Sequence, residues 1–157
     1  MKSINRKDLL IVSNLRRNGR ETLTEISKFT GIPVSTIFDR IKNKCFGLIK
    51  KNTILIDFNM LGYSIVVHMV LKVNKSEREK LKEYVKKHRH INTAYRINNG
   101  YDYLLEGVFK NVKDLEEFLE KLDENFSIEQ KQIYHIIDEI KREEFLSPGE
   151  YINSLSS

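Results

Sequence analysis

Residues 23–44 read LTEISKFTGIPVSTIFDRIKNK, two short helical patterns on either side of a turn sequence at 30–33. Thr22 and Glu25 have the spacing of a capping box, in which each side chain bonds to the other's backbone N–H, and this predicts where the first helix begins. Gly31 stands where a chain that leaves a helix adopts a left-handed backbone conformation. Two helices joined by so tight a turn form a helix-turn-helix.

The second of these helices is predicted to present a hydrogen-bonding face to the outside. Val34, Ile37 and Ile41 recur at helical spacing, and we expect all three to face the interior. Small polar and basic side chains on the opposite face are suited to reading base edges in a major groove. The predicted DNA-binding residues are Ser35, Thr36, Asp39, Arg40, Lys42, Asn43, Lys44, Lys50 and Lys51.

Two kinds of contact with DNA are expected from these residues. The four lysines would neutralise phosphates, which supplies salt-dependent affinity and little sequence information. For Arg40 a structural role is the alternative, in which its guanidinium bonds to Asp39 or Glu25. Phe38 is expected in the hydrophobic core. The candidates for base edges, where Asn suits adenine and Arg suits guanine, are Ser35, Thr36, Arg40 and Asn43.

The positive charge of the chain is concentrated around this motif. Residues 1–57 contain 12 Lys and Arg against 5 Asp and Glu, a net charge of +7, whereas residues 58–157 carry −2. A basic half that coincides with a helix-turn-helix predicts contact with phosphates in that half and a different task for the other.

Composition limits the class of protein. The 157-residue chain is 40% hydrophobic and 31% charged, as is ordinary for a globular protein. We find no apolar run of membrane-spanning length, and residues 1–6 lead into no signal-peptide core. Cys45 is the only cysteine, which excludes an internal disulfide and fits a reducing compartment. We therefore expect a cytoplasmic protein without a membrane partner.

The sequence around the motif predicts a winged helix-turn-helix domain over residues 1–57. A first helix is predicted from Arg6 to Asn18, ended by the Asn-Gly pair that follows. Residues 48–56 are predicted to form a hairpin, the wing, which turns at 51–53. Residues 58–63 are predicted to be a hinge.

Residues 64–147 are predicted to form a ferredoxin-like domain with the element order βαββαβ, which makes the chain an α+β protein. The order follows from apolar runs of strand character, a turn at residues 98–100 and two amphipathic helices. Residues 129–145 fit both a helix and a strand. We interpret 132–139 as the final strand because the preceding elements lack only that one, and a polar tail follows at 148–157.

The first strand of this domain is apolar on both faces. Val66 and Val70 add apolar side chains to the face opposite Val67 and Met69. A four-stranded sheet with both helices on one side normally has a polar second face. An apolar second face predicts that the sheet of a second subunit covers it, which makes the protein a homodimer.

With these motifs in this order, the chain resembles the leucine-responsive/asparagine-regulator, or feast/famine, family of bacterial and archaeal transcription regulators, over about residues 6–145. The matching segments are residues 8–20, 25–32 and 35–41, the hinge Leu61-Gly62-Tyr63, and the effector-domain signature at residues 100–105, GYDYLL. Asn99 replaces the Gly of the family's Thr-Gly-x-Tyr-Asp turn. Because Asn tolerates the left-handed conformation, we expect the turn to persist.

The resemblance implies a sequence-specific DNA-binding transcription regulator that responds to a small-molecule effector such as an amino acid. Its dimers would bind a pseudo-palindromic operator and associate further, with the effector at the contact between dimers. Asp102 would pair with an α-amino group, and backbone N–H groups near Gly100 would bind a carboxylate. Alternatively, Asp102 closes the turn on its own backbone. The implied effector-binding residues are Asn98, Asn99, Gly100, Tyr101 and Asp102.

Two other functions stay open at this point. A ligand-independent architectural DNA-binding protein would discriminate poorly between sequences. Siroheme decarboxylases are similar in architecture, but Thr93 and Asn99 stand where His residues flank a Tyr in those enzymes. The sequence has no Ser-His-Asp order, carboxylate pair, Gly-rich phosphate loop or Cys/His metal spacing. We therefore expect no catalysis, no cofactor and no bound metal.

Overall fold

The computed structural model describes residues 4–147, which form two compact units. The first unit comprises residues 4–55 together with 140–147, and the second comprises residues 56–139. In the part of the chain so described, no helix combines the length and the apolar character needed to cross a membrane. The predicted tail at 148–157 lies outside the described residues.

The first unit is built from helices, and their ends follow the local sequence. Thr22 and Glu25 form the predicted capping box, and Gly31 ends the next helix in the predicted left-handed conformation with a φ of 69°. Asn5 and Asp8 form a second capping box at the start of the first helix. The helices are α1 (Arg6–Arg17), α2 (Leu23–Thr30), α3 (Val34–Lys42) and α4 (Lys44–Gly47).

Fewer side chains of α3 are buried in the core of this unit than the sequence pattern predicted. Ile37 is fully buried as expected, and Ile41 packs against the core. The prediction that Val34 faces the interior is wrong, because its side chain is 42% exposed at the first position of α3. The buried core residues are Ile11, Val12, Ile26, Ile32, Ile37 and Cys45.

The predicted hairpin at residues 48–56 is not formed. The helix-turn-helix that precedes it, α2 and α3, is formed as predicted. Residues 49–57 contain no strand, and Ile54, Leu55 and Ile56 are exposed. The tip sequence Lys51-Asn52-Thr53 lacks the Gly that tight hairpin turns need at left-handed positions. The segment therefore has no regular secondary structure and no partner strand among the described residues.

The C-terminal segment packs on α1 in this unit. Arg16 donates from Nη2 to the carbonyl oxygen of Glu143 at 2.6 Å and to its carboxylate at 3.0 Å. It also donates from Nε to the carbonyl oxygen of Phe145 at 2.5 Å. Residues 136–145 contain no strand. Of the segment 129–145, which fitted both a helix and a strand, only the part up to His135 therefore forms a strand.

The second unit has the predicted ferredoxin-like βαββαβ order. Its strands are β1 (Ile65–Val73), β2 (Ile91–Arg96), β3 (Tyr103–Phe109) and β4 (Ile128–His135). They form an antiparallel sheet in the order β2-β3-β1-β4. The last strand begins four residues earlier than the predicted 132–139, and it ends at His135. The two helices are α5 (Arg78–Lys87), between β1 and β2, and α6 (Val112–Asn125), between β3 and β4.

Alternate residues of β1 define the two faces of the sheet. Val67, Met69 and Leu71 are fully buried in the core that the sheet forms with α5 and α6. Gly107 lies in this layer, where an added Cβ would come within 2.8 Å of the Met69 Cε atom. Val66, His68 and Val70 on the other face remain half-buried. The second face is thus available to a covering surface.

Candidate DNA-binding and effector sites

The outer face of α3 carries an uninterrupted row of exposed side chains. Ser35, Phe38, Asp39 and Lys42 follow the i, i+3, i+4, i+7 spacing of one helix face, and all four are exposed. Thr36 is half-buried at the edge of this row. The predicted residues Ser35, Asp39 and Lys42 therefore share one surface, with Thr36 beside it.

Phe38 belongs to this row, which corrects its expected place in the core. Its side chain is 52% exposed. The apolar spacing of α3 is already satisfied by Ile37 and Ile41, and Phe38 lies about 100° further around the helix than Ile37. That angular offset is the sequence signal that could have identified Phe38 as an outward residue.

Arg40 faces the interior of the unit. Its Nη1 atom lies 2.5 Å from Oδ1 of Asp8 and 3.3 Å from Oδ1 of Asn5. The Arg40 side chain is 19% exposed and that of Asp8 is fully buried. This arrangement corresponds to the structural alternative for Arg40, with Asp8 in place of the expected Asp39 or Glu25.

The remaining predicted DNA-binding residues are dispersed. Asn43 caps α3, and its side-chain Nδ2 donates to the carbonyl oxygen of Asp39 at 2.8 Å. Lys44 begins α4. Lys50 and Lys51 are exposed on the irregular segment that takes the place of the predicted hairpin. The structure thus joins three of the predicted residues in one row and leaves these lysines on separate elements.

The turn between β2 and β3 has the predicted backbone conformation. Asn99 has a φ of 61° and Gly100 a φ of 85°, so Asn99 does take the left-handed conformation. The N–H of Ile97 donates to the carbonyl oxygen of Asp102 at 3.0 Å and closes the turn. Asn98, Asn99 and Gly100 are exposed, and Tyr101 is half-buried. The turn therefore offers exposed backbone to a ligand.

Asp102 differs from its neighbours because it is 3% exposed. Its Oδ2 accepts a hydrogen bond from the N–H of Val73 at 3.0 Å, and its Oδ1 lies 2.7 Å from Nε of Arg78. The carboxylate thus holds the end of β1 and the start of α5 to the turn. It does not bond to the backbone of its own turn, which was the alternative role. Arg78 was not anticipated from the sequence.

The described residues offer neither a reactive cysteine nor a metal site. Burial raises the pKa of the Cys45 thiol, and the nearby Asp8 carboxylate raises it further. A thiol with a raised pKa is a poor nucleophile at neutral pH. Within residues 4–147, no three His, Cys, Asp or Glu side chains are grouped so that they would hold a metal ion.

Both halves of the chain match known protein families. Residues 4–43 match the family described as winged helix-turn-helix DNA-binding. Residues 65–145, half of the chain, match the family described as the Lrp/AsnC ligand binding domain. The two matches coincide with the two surfaces described above, the α3 row and the turn at 98–102.

Individual proteins are similar over most of the chain. The HTH-type transcriptional regulator FL11 of Pyrococcus horikoshii is 34% identical over 114 residues, 72% of this chain and 76% of the relative. The FL11 regulator of Pyrococcus furiosus is 33% identical with the same coverage of 72% and 76%.

Solved structures share the fold. LrpC of B. subtilis has a TM-score of 0.78 at 23% identity, and the match covers 88% of this chain and 98% of that one. A transcriptional regulator of Neisseria meningitidis, solved as a complex with L-Met, has a TM-score of 0.81 at 21% identity, with coverage of 89% and 94%.

Proposed function

The chain belongs to the Lrp/AsnC family of helix-turn-helix transcription regulators, and from that premise we propose that it recognises a pseudo-palindromic operator with the outer face of α3. The recognition helix of a helix-turn-helix lies in the major groove, and two-fold related copies bind half-sites one helical turn or a multiple apart. Regulation, in this proposal, takes place in the cytoplasm and involves no catalysis by this chain.

The observation that carries the DNA proposal is the exposed row on α3. The hydroxyl of Ser35 can donate to or accept from a base edge, and the ring of Phe38 can pack against a thymine methyl group. Lys42 follows on the same face, where it would neutralise a phosphate. Arg40 is assigned to the interior, so guanine recognition by Arg40 does not form part of the proposal.

Lys50 and Lys51 would add phosphate contacts from the irregular segment that follows α4. Both side chains are exposed, and neither forms an ion pair with a carboxylate among residues 4–147. Unpaired lysines release condensed counterions from DNA on binding, which makes affinity depend on salt. Each is expected to contribute affinity without sequence preference.

We further propose that a small molecule such as an amino acid binds at the turn 98–102. The exposed backbone near Gly100 is suited to a carboxylate. Because Asp102 is already paired with Arg78, an α-amino group would have to exchange with that guanidinium. The L-Met complex of the Neisseria meningitidis regulator supports an amino-acid ligand for this fold.

A two-fold dimer is proposed through the open face of the sheet. Val70 and Leu104 are paired across β1 and β3 on this face. Two residues further along each strand, His68 lies opposite Glu106 on the same face. Tyr95 and Tyr134 are exposed at its edges. An apolar centre with polar and aromatic surroundings is the composition of subunit interfaces.

Selection of bound sequences from a random DNA pool at physiological salt tests the proposed function. A short pseudo-palindrome in the enriched pool is the expected result. Retention of DNA without a motif would replace the proposal with an architectural role, and no retention would overturn DNA binding altogether. Light scattering on the same preparation measures the mass, which should be that of a dimer or an assembly of dimers.

A further inference from the structure

An open cavity of about 450 Å³ lies in the second unit. It is built at the start of β2 and the end of β3, where Ile91 is paired with Gly107. The turn 98–102 joins the opposite ends of the same two strands. The cavity is therefore separate from the proposed effector turn.

One wall of the cavity is apolar and comes from the hinge segment 58–63. Phe58, Leu61 and Tyr63 line this wall. A short 3-10 turn at Asn59–Leu61 shapes it, and the following Gly62 has a φ of 79° that permits the change of direction. The hinge thus contributes aromatic and aliphatic surface to the cavity.

Two cations, Arg89 and Lys110, also line the cavity, and the side chain of Arg89 is held by His90. The ring of His90 stacks on Phe109 with a centroid separation of 4.9 Å, and its Nδ1 donates to the carbonyl oxygen of Val108 at 2.9 Å. The remaining ring nitrogen, Nε2, accepts from Nε of Arg89 at 3.2 Å. This bond uses the inner edge of the Arg89 guanidinium and leaves its terminal amino groups for another partner.

The second cation is Lys110, whose Nζ lies 5.6 Å from the centre of the Tyr63 ring. Its backbone is fixed because Ser64 Oγ donates to the Lys110 carbonyl oxygen at 3.0 Å. Neither Arg89 nor Lys110 forms an ion pair with a carboxylate in the described part of the chain. Two cations that form no ion pair, beside an apolar wall, favour an organic anion.

From this arrangement, we propose that the cavity binds a small organic monoanion that carries an aromatic or branched apolar group. The carboxylate would lie between Arg89 and Lys110, and the apolar group would pack against Phe58 and Tyr63. Asp114, a half-buried lining residue without an ion-pair partner among residues 4–147, would repel a second negative charge. This selects a monoanion over a phosphate ester.

A ligand in the cavity would favour the conformation of the hinge segment 58–63 in which Phe58, Leu61 and Tyr63 form the cavity wall. A ligand shifts a conformational equilibrium only if it binds the two states with different affinity, and here three hinge residues contribute contacts. This regulatory consequence rests on the proposed function, whereas binding to the cavity does not.

Amide NMR titration of the full chain with phenylacetate tests the proposal. Phenylacetate combines one carboxylate with one ring, and a ligand of this size is expected to bind with a Kd on the order of 1 mM. Shifts should be confined to residues 58–64, 89–92 and 108–114. Acetate lacks the ring and benzyl alcohol lacks the charge, so both should bind at least about tenfold more weakly.

Matched variants separate the charge effect from a loss of structure. Arg89→Gln and Lys110→Gln should each weaken phenylacetate binding about tenfold or more. Lys113→Gln, three residues further along the chain at a highly exposed side chain, should leave the affinity unchanged, and all three spectra should stay dispersed. Absence of shifts, shifts centred on residues 97–102, or equal affinity in Lys110→Gln would each overturn the proposal. DNA binding, measured on the same samples without phenylacetate, reports separately on the proposed function.

Discussion

Nη1 of Arg40 in α3 lies 2.5 Å from Oδ1 of Asp8 in α1, and this carboxylate is fully buried. The same Asp8 forms the capping box with Asn5 at the start of α1. One carboxylate thereby ties the helix that is proposed to enter the major groove to the first helix of the unit. Removal of Arg40 leaves the buried Asp8 carboxylate without this guanidinium, and the loss of one partner of a buried ion pair is strongly destabilising.

Arg40→Ala should therefore destabilise the protein. We expect a loss of about 3 kcal/mol in the free energy of unfolding, the scale for breaking a buried pair, measured by urea denaturation. Lys42→Ala, at an exposed position two residues further along α3, should change it by less than about 0.5 kcal/mol. Unchanged stability in Arg40→Ala, combined with a loss of operator binding, would return Arg40 to the base-reading role.

Gly31→Ala should destabilise the turn of the helix-turn-helix. Gly31 has a φ of 69°, and no atom lies within 4 Å of an added Cβ, so the cost comes from the backbone alone. That cost is about 1 kcal/mol, again measured by urea denaturation. Gly19→Ala is the matched control, because its Cβ would be at an ordinary 3.7 Å from the Leu15 carbonyl oxygen. If both variants lost the same stability, the left-handed conformation would not be the cause.

Asp102→Ala should destabilise the second unit whether or not an effector binds. The substitution leaves Arg78 and the N–H of Val73 without their partner, and we expect a loss of about 3 kcal/mol in thermal or urea unfolding. Asn98→Ala in the exposed part of the same turn should be within about 0.5 kcal/mol of the parent protein. A stable Asp102→Ala variant that loses its response to an amino acid would assign Asp102 to the ligand instead.

The stability of the protein should fall as the pH is lowered from 7 towards 5.5, in part because of His88. Burial lowers the pKa of His88, and the positive charges of its neighbours lower it further. Nδ1 of its ring accepts from the N–H of His90 at 3.3 Å, so protonation of this nitrogen would remove the acceptor. Since the unfolded chain binds this proton more readily, the stabilisation is present above the unfolded pKa of about 6.5 and is lost below it.

Urea denaturation at several pH values checks this assignment. His88→Phe should flatten the dependence of the unfolding free energy on pH over this interval. Tyr84→Phe keeps a ring that lies 5.1 Å from His88 and should retain the parent slope. A His88→Phe variant with the parent slope would show that another group binds the proton.

Local features of the fold could be predicted from the sequence, because they depend on a few adjacent residues. The capping box of Thr22 with Glu25 and the left-handed conformations of Gly31 and Asn99 are of this kind. The first five elements of the βαββαβ order followed from sequence patterns, and the final strand was inferred because the order lacked only that element. The start of β4 did not, because Ile128 to Lys131 become a strand by pairing with β1, which is distant in sequence.

The partners of charged residues could not be predicted for the same reason. Asp8 and Arg40 are 32 residues apart, and their spacing carries no local signal. The expected roles of Arg40 and Asp102 rested on residue type, whereas burial decides what each carboxylate or guanidinium contacts. The cavity beside residues 58–63 likewise depends on three separate segments meeting, so its charges could not be grouped from the sequence.

The central claim is that the exposed row on α3 reads DNA sequence, and the Kd for a selected operator against a scrambled duplex tests it most directly. At physiological salt the parent protein should bind the operator at least about 10³-fold more tightly. Ser35→Ala and Phe38→Ala should each lower that ratio about tenfold or more. Thr24→Ala, at an exposed position of α2, should preserve it. Equal affinity of the parent protein for both duplexes, or an unchanged ratio in both α3 variants, would contradict the claim.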